Sequence, residues 1–317
     1  MKRRLLLTIA LIALCLTTFI LAVNDRRHLA TAQDGLMTPT STLAPSAALR
    51  SGYASTACLI QPPKGTASAR KQAMLQRRAE LLASGSFPLS RFRQESNSAF
   101  LVNDKAMLGM APVSNGYAPR EEIAFVDPTN YGDRYLADVN GKPATLEPIV
   151  VLHETVGSAS SALNLFRAFH PNDDDQVSYH ALVKLDGTLV YLVPPDKRAY
   201  GAGNSVFMGT YGAETVKTNA KFSGSVNNFA YHISLETPYD GIHNGYSHSG
   251  YTLAQYQTLA WLVAKTGVAD ERITTHRAVD RSRSRIDPRS FSDTTFFSLL
   301  NAQPRSAEIA IRCTDPV

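Results

Sequence analysis

The segment that most constrains the fold is a short apolar run, residues 148–152, which ends in His153. A run of this length without charged residues is typical of a strand buried in a sheet. A second short segment, residues 272–275, leads in the same way to His276. The sequence therefore predicts two strands whose carboxyl ends each carry an imidazole.

Strand-like and helical segments alternate after residue 149. Asp186 and Gly187 are typical of a tight turn between two strands, and Gly267 is typical of a helix end. The alternation predicts an α/β fold with a mixed central β-sheet flanked by helices, preceded by an N-terminal membrane segment and a loop-rich lead-in. The expected strands cover residues 149–153, 177–184, 189–193, 229–235 and 273–276, and the expected helices cover 68–84, 158–169, 252–265 and 291–300.

Asp287 offers a carboxylate that could join the two histidines. It lies in a polar loop closed by Pro288. Two imidazoles and one carboxylate leave one position of a tetrahedral zinc ion free for water, which distinguishes a catalytic zinc from a closed structural one. We therefore predict that His153, His276 and Asp287 bind Zn²⁺. The ordinary alternatives are strand-end histidines and an aspartate that opens the Pro288 turn.

Length and composition are those of a globular protein. The chain has 317 residues, enough for one large or two modest domains, and its 44% hydrophobic and 19% charged residues argue against global disorder. The net charge of +5 suits an anionic surface or polymer. The sequence contains no recognition helix, zinc finger or RNA-binding aromatic motif, so we expect no nucleic-acid partner. We expect a monomer.

The N-terminus has the pattern of an export signal or a single-span membrane anchor. Lys2, Arg3 and Arg4 precede an uncharged apolar stretch over residues 5–23. This stretch is long for a signal peptide and just long enough to cross a bilayer. The sequence leaves the cleaved signal and the retained anchor open. In both cases the rest of the chain is predicted to be extracytoplasmic, in the periplasm, in the cell envelope or secreted.

Two cysteines, Cys58 and Cys313, lie near opposite ends of the exported part. An even pair in an oxidising compartment predicts one disulfide, although two unrelated thiols are the alternative. The predicted organisation is a signal or anchor (1–32), a linker (33–67), a helical and loop-rich extension (68–147), a catalytic domain (148–302) and a tail (303–317).

Four segments in a fixed order resemble one known family. They are Ile-Val-Val-Leu-His-Glu-Thr at 149–155, the hairpin at 177–194, Thr-Thr-His-Arg-Ala-Val-Asp at 274–280, and Asp287-Pro288. Together they resemble the zinc-dependent N-acetylmuramoyl-L-alanine amidases of the peptidoglycan-recognition-protein superfamily. The resemblance covers residues 149–300, and it depends on the order and spacing of the segments.

The resemblance implies an activity and roles for several residues. The implied reaction is hydrolysis of the amide between the lactyl group of N-acetylmuramic acid and L-alanine, so peptidoglycan or muropeptides would be the partners. Tyr179 falls on the family's catalytic tyrosine and would position water or an oxyanion. Because strand side chains alternate between faces, Tyr179 and His180 are not expected to point into the site together.

The chain departs from the family at three positions. Arg285 stands where many relatives have lysine, and it would act only through its charge because arginine does not release a proton near neutral pH. Ser234 stands where some relatives carry a catalytic glutamate, which makes Glu236, on the same strand face, a candidate base. Gly201 stands where members often have histidine.

Two other functions compete with catalysis by an amidase. One is a non-catalytic peptidoglycan- or muropeptide-binding module, which the presence of Asp287 disfavours. The other is a zinc hydrolase acting on a different amide. The arginines of the loop after His276 are either a solvated surface or a contact for substrate carboxylates and anionic wall polymers. These arginines are Arg277, Arg281, Arg283, Arg285 and Arg289.

Overall fold

The computed structural model describes residues 58–85, 87–94 and 116–311. Within them the helices are α1 (Ala67–Ser84), α2 (Ala159–Arg167), α3 (Leu253–Thr266), α4 (His276–Val279) and α5 (Asp293–Asn301). The strands are β1 (Glu121–Ile123), β2 (Tyr131–Asp133), β3 (Ile149–Glu154), β4 (Ala181–Val183), β5 (Leu189–Tyr191), β6 (Lys197–Ala199), β7 (Phe207–Gly209), β8 (Gly212–Glu214), β9 (Ala230–Leu235) and β10 (Ile273–Thr275).

Six strands form the central sheet, in the order β1-β5-β4-β9-β3-β10. Strand β4 is antiparallel to β5, whereas β4, β9, β3 and β10 are parallel to one another. The predicted mixed α/β sheet flanked by helices is therefore confirmed. Because β3, β9 and β10 are parallel neighbours, their carboxyl ends lie at one edge of the sheet, where ligand sites of α/β folds usually form.

The two faces of β3 have different surroundings. Val150 and Leu152 pack in the core with α3, whereas Ile149 and Val151 belong to a second core on the opposite face. Alternation of side chains along a strand therefore directs His153 to the second face and its neighbour Glu154 to the face of α3. This separation decides what each of these two residues can contact.

Helix α3 covers the first face because its ends and its buried side match the sequence pattern. Thr252 forms a capping box with Gln255, and Gly267 ends the helix in the left-handed conformation at φ 64°. Leu262 of this helix is fully buried. Its replacement by alanine is expected to cost about 2–5 kcal/mol of unfolding free energy.

The lead-in before residue 148 contains more regular structure than the sequence predicted. Strand β1 extends the central sheet beside β5, and β2 pairs with β6. Strand β1 escaped prediction because Glu121 and Glu122 interrupt any apolar alternation. The helix expected at 68–84 is present as α1, and Arg78 holds it against the lead-in through a 2.7 Å ion pair with Asp127.

Several predictions concern the chain termini. Cys58 is disulfide-bonded, but Cys313 lies outside the described residues, so their pairing stays a prediction. The apolar stretch at residues 5–23 also lies outside them. Within the described part of the chain, none of the helices combines the length and apolarity needed to span a bilayer.

Candidate metal centre

The structure brings together the three residues predicted to bind zinc. His153, His276 and Asp287 each offer one ligand atom, and these atoms lie within 4.8 Å of one another. His276 Nδ1 is 3.1 Å from Asp287 Oδ1, and His153 Nδ1 is 3.4 Å from Asp287 Oδ2. All three residues are buried. A single small ion can therefore contact the whole set.

Strand register explains how residues so distant in sequence meet. Leu152 of β3 lies opposite Thr275 of β10, so His153 and His276, which follow them, are neighbours at the sheet edge. Thr275 caps α4 by accepting a hydrogen bond from the backbone N–H of Ala278. The loop that carries Asp287 returns to the same place, because the Asp287 carbonyl accepts a hydrogen bond from the Arg277 N–H.

The donor set fits a zinc ion. Nδ1 of His153 is buried and makes no hydrogen bond, although it faces the Asp287 carboxylate. Burial lowers the pKa of His153 to about 4, so the ring is neutral near pH 7. Burial alone would raise the pKa of Asp287, but the nearby rings of His153 and His276 outweigh it and hold that pKa well below its usual value. Neutral imidazoles and an ionised carboxylate are the forms that bind Zn²⁺.

Tyr179 lies beside the first ligand. Its ring centroid is 4.5 Å from that of His153, and Phe166 packs edge-on against it at 5.4 Å. Burial raises the pKa of the phenol, so its hydroxyl remains a hydrogen-bond donor. His180 points elsewhere, since its Nδ1 accepts a hydrogen bond from the backbone N–H of His232 at 2.9 Å. The two adjacent side chains diverge, as predicted, although β4 begins at Ala181 and not at the expected residue 177.

Arg285 is exposed in the loop between His276 and Asp287, and its positive charge acts on both His153 and Tyr179. The loop itself is organised by Asp280. The Asp280 carboxylate accepts hydrogen bonds from the backbone N–H groups of Ser282, Ser284 and Arg285 at 3.0, 2.8 and 2.9 Å. A loop organised in this way keeps the positive charge of Arg285 near the cluster.

Glu236 has a different environment from the one expected of a general base. Its Oε1 accepts a hydrogen bond from the Ala159 N–H at 2.7 Å, and its Oε2 accepts one from the Leu185 N–H at 2.9 Å. The carboxylate therefore links the start of α2 to the turn after β4 and does not belong to the candidate metal-binding cluster of His153, His276 and Asp287. Ser234 lies opposite His153 in the sheet, with a buried hydroxyl that has no hydrogen-bond partner.

Two features of the site were not predicted from the sequence. His232 Nδ1 lies 2.9 Å from His153 Nε2. On the other face, the buried carboxylate of Glu154 pairs with Arg289. Strand alternation in the sequence could have indicated both features. It places His232 and Ser234 on the same face of β9, and it places Glu154 and His153 on different faces of β3.

Comparison with known proteins identifies the domain that carries these residues. Residues 146–290 match the family Amidase_2, N-acetylmuramoyl-L-alanine amidase. This range includes the three candidate ligands, Tyr179 and Arg285. Residues 146–290 form a domain similar to the N-acetylmuramoyl-L-alanine amidases, called the amidase domain below. The family resemblance and the assignment as an enzyme are thereby confirmed. A comparison with curated proteins finds no match.

Several solved structures are similar to part of this chain. A selenomethionine derivative of AmpD is 25% identical, with a TM-score of 0.40, over 60% of this chain and 99% of AmpD. AmpD of Citrobacter freundii is 24% identical, with a TM-score of 0.37, over 60% of this chain and 95% of its own. AmpDH3 of Pseudomonas aeruginosa, in complex with anhydromuramic pentapeptide, is 16% identical, with a TM-score of 0.32. The match covers 56% of this chain and 61% of AmpDH3.

Proposed function

We propose that the amidase domain hydrolyses the amide between N-acetylmuramic acid and L-alanine in peptidoglycan, using a zinc ion held by His153, His276 and Asp287. The observation that carries this proposal is the convergence of two imidazoles and one carboxylate within 4.8 Å. The unpaired, buried Nδ1 of His153 supports it, because burying a ring nitrogen without a partner is costly unless a ligand completes it.

The proposed mechanism divides the work between the metal and the protein. A zinc ion bound there supplies Lewis acidity, which activates water and polarises the scissile carbonyl. Tyr179 keeps its proton and donates a hydrogen bond to the oxygen on which negative charge develops. The guanidinium of Arg285 stabilises the same developing charge through space and transfers no proton.

The arginine loop favours an acidic substrate. Among the described residues, the side chains of Arg277, Arg281, Arg283 and Arg285 form no ion pair, whereas Arg272 and Arg289 of the same domain do. The nearby Asp280 forms no ion pair with them, and its carboxylate accepts hydrogen bonds from backbone N–H groups. A loop between the proposed metal ligands that carries four arginines and one aspartate has an excess of positive charge, which suits the carboxylates of a peptidoglycan stem peptide.

We also infer that the domain works outside the cytoplasm. The support is the basic and apolar N-terminal pattern together with the disulfide at Cys58, since disulfides persist mainly in oxidising compartments. Fractionation of cells that express the full chain tests this inference. Recovery of the protein only from the cytosol, with Cys58 reduced, would contradict it.

Digestion of purified sacculi, followed by mass spectrometry of the released products, tests the proposed reaction. Free stem peptides that begin with L-alanine should appear with zinc and disappear with a chelator. Asp287→Ala should release none, whereas Asp175→Ala, at an exposed loop position, should behave as wild type. Binding of sacculi without any release of peptide would instead support a non-catalytic binding module.

A further inference from the structure

We propose that His232 is a positioning residue for the zinc site, accepting the Nε2 proton of His153 so that Nδ1 of His153 stays free to bind the metal. This inference rests on the proposed function. It adds to that proposal a residue which touches neither the metal nor the substrate.

The geometry of the two histidines is that of a buried hydrogen bond. His153 Nε2 and His232 Nδ1 are 2.9 Å apart, and both residues are fully buried. The residues come from adjacent parallel strands and lie on the same face, since His232 is opposite Val151 and Ser234 is opposite His153. Among the described residues, His153 Nε2 has no other hydrogen-bond partner.

The positions of the ring protons follow from the role of each nitrogen. If His153 binds the metal through Nδ1, its single ring proton is on Nε2 and needs an acceptor. His232 Nδ1 is the acceptor in reach, so the proton of His232 must be on its own Nε2. That Nε2 is buried and has no partner. A neutral histidine oriented with one unsatisfied nitrogen is unusual in a folded core, and the bond to the metal ligand gives a reason for it.

The surroundings hold the His232 ring in this orientation. The backbone N–H of His232 donates to His180 Nδ1 at 2.9 Å, so His180 carries its proton on Nε2, which is 3.1 Å from the Lys197 carbonyl. The His180 and His232 rings lie nearly parallel, with an interplanar angle of 10°. Gly201 covers the ring so closely that an added Cβ would lie 2.5 Å from His232 Cγ. Only a residue without a side chain fits there.

Two variants of nearly equal shape separate hydrogen bonding from packing. His232→Leu removes the acceptor, whereas His232→Asn keeps an acceptor oxygen near the position of Nδ1. Zinc dissociation constants of the full-length protein are measured by competition with a chromogenic chelator. We expect His232→Leu to weaken zinc binding about 10–100-fold, the usual effect of losing an outer-shell partner. His232→Asn should stay within about threefold of wild type, on the same reasoning.

Gly201→Ala provides a test that leaves His232 itself intact. The added methyl group must displace the imidazole, so zinc binding should weaken while all zinc ligands remain. Thermal denaturation of each variant without metal shows whether it is folded. If His232→Leu does not fold, the comparison of Gly201→Ala and His232→Asn with wild type still decides the question.

The outcomes distinguish this inference from the proposed function. Wild-type protein that binds no zinc overturns the zinc-dependent function and this inference with it. Wild-type protein that binds zinc, with a folded His232→Leu of equal affinity, overturns only the role of His232. Equal losses in folded His232→Leu and His232→Asn would also overturn it, because packing and not the acceptor would then be responsible.

Discussion

Glu154 and Arg289 form a buried ion pair that connects the two chain segments carrying His153 and Asp287. Glu154 directly follows His153, and Arg289 comes two residues after Asp287, so the pair lies next to two of the proposed metal ligands. The guanidinium also donates to the carbonyls of Gly241, His243 and Gly245 at 2.7–2.8 Å. The pair therefore attaches the loop that carries Asp287 to the end of β3. The same guanidinium also attaches that loop to the loop after β9.

Replacement of Arg289 by methionine should destabilise the protein by about 3–5 kcal/mol, because it leaves the Glu154 carboxylate buried without its cation. Urea denaturation of the metal-free protein measures this change. The matched control is Arg305→Met, which removes an exposed ion pair with Asp270 and should cost less than about 1 kcal/mol. Equal effects of the two substitutions would show that burial of the Glu154–Arg289 pair has no special importance.

Tyr179→Phe removes the phenolic hydroxyl but keeps the ring that packs against His153 and Phe166. We expect kcat to fall about 10²–10³-fold, the usual cost of losing one oxyanion donor. Zinc affinity should not change, because the hydroxyl is not a ligand. Tyr211→Phe is the control, since Tyr211 is fully exposed. Wild-type kcat in Tyr179→Phe would leave the tyrosine only a packing role.

Arg285→Lys should keep or raise activity if the position acts through its charge alone. Arg285→Gln should reduce kcat/KM at least about tenfold, which corresponds to roughly 1.4 kcal/mol of lost charge stabilisation in the transition state. Steady-state kinetics on a soluble muropeptide compares the two variants. Complete loss of activity in Arg285→Lys would mean that the forked guanidinium makes a bidentate contact that an ammonium cannot replace.

Glu236→Gln separates a structural carboxylate from a catalytic base. Because Glu236 accepts hydrogen bonds from the backbone of Ala159 and Leu185, the substitution should cost roughly 1–3 kcal/mol of unfolding free energy. The kcat of the folded variant should remain near that of wild type. A fall in kcat of about 10²-fold or more would restore Glu236 as a general base.

Stability of the metal-free protein should decrease as the pH falls. Burial lowers the pKa of His153 to about 4 and holds the pKa values of His180 and His232 well below their usual value of 6.5. Between about pH 6.5 and 4 the unfolded chain therefore binds more protons than the folded protein, so its free energy of unfolding decreases toward acid. The depressed pKa of Asp287 continues this loss below its unfolded value of 3.8.

Urea denaturation of chelator-treated protein at several pH values measures this dependence. The stability that these buried, neutral histidines contribute is complete above about pH 6.5, where they are neutral in both the folded and the unfolded protein. His232→Asn should reduce the slope, because it removes one of the buried imidazoles. A free energy of unfolding that stays constant or rises between neutral pH and pH 5 would contradict the prediction.

The sequence by itself determined the fold class and the candidate zinc ligands. An apolar run that ends in His153 specifies a buried strand, and a short segment with β-branched residues specifies the half-buried strand before His276. This information is local. The sequence did not reveal β1, because charged residues mask its alternation. It also suggested Glu236 as a base, because residue type and strand face are visible in a sequence but hydrogen-bond partners are not.

Tertiary structure alone decided which side chains meet. The contact of His153 with His232, the pairing of Glu154 with Arg289 and the anchoring of Glu236 all depend on the order and register of strands that are far apart in the chain. Periodicity gives the face on which a side chain lies, but not the neighbour that faces it. Strand order, which is set by packing of the whole core, selects that neighbour.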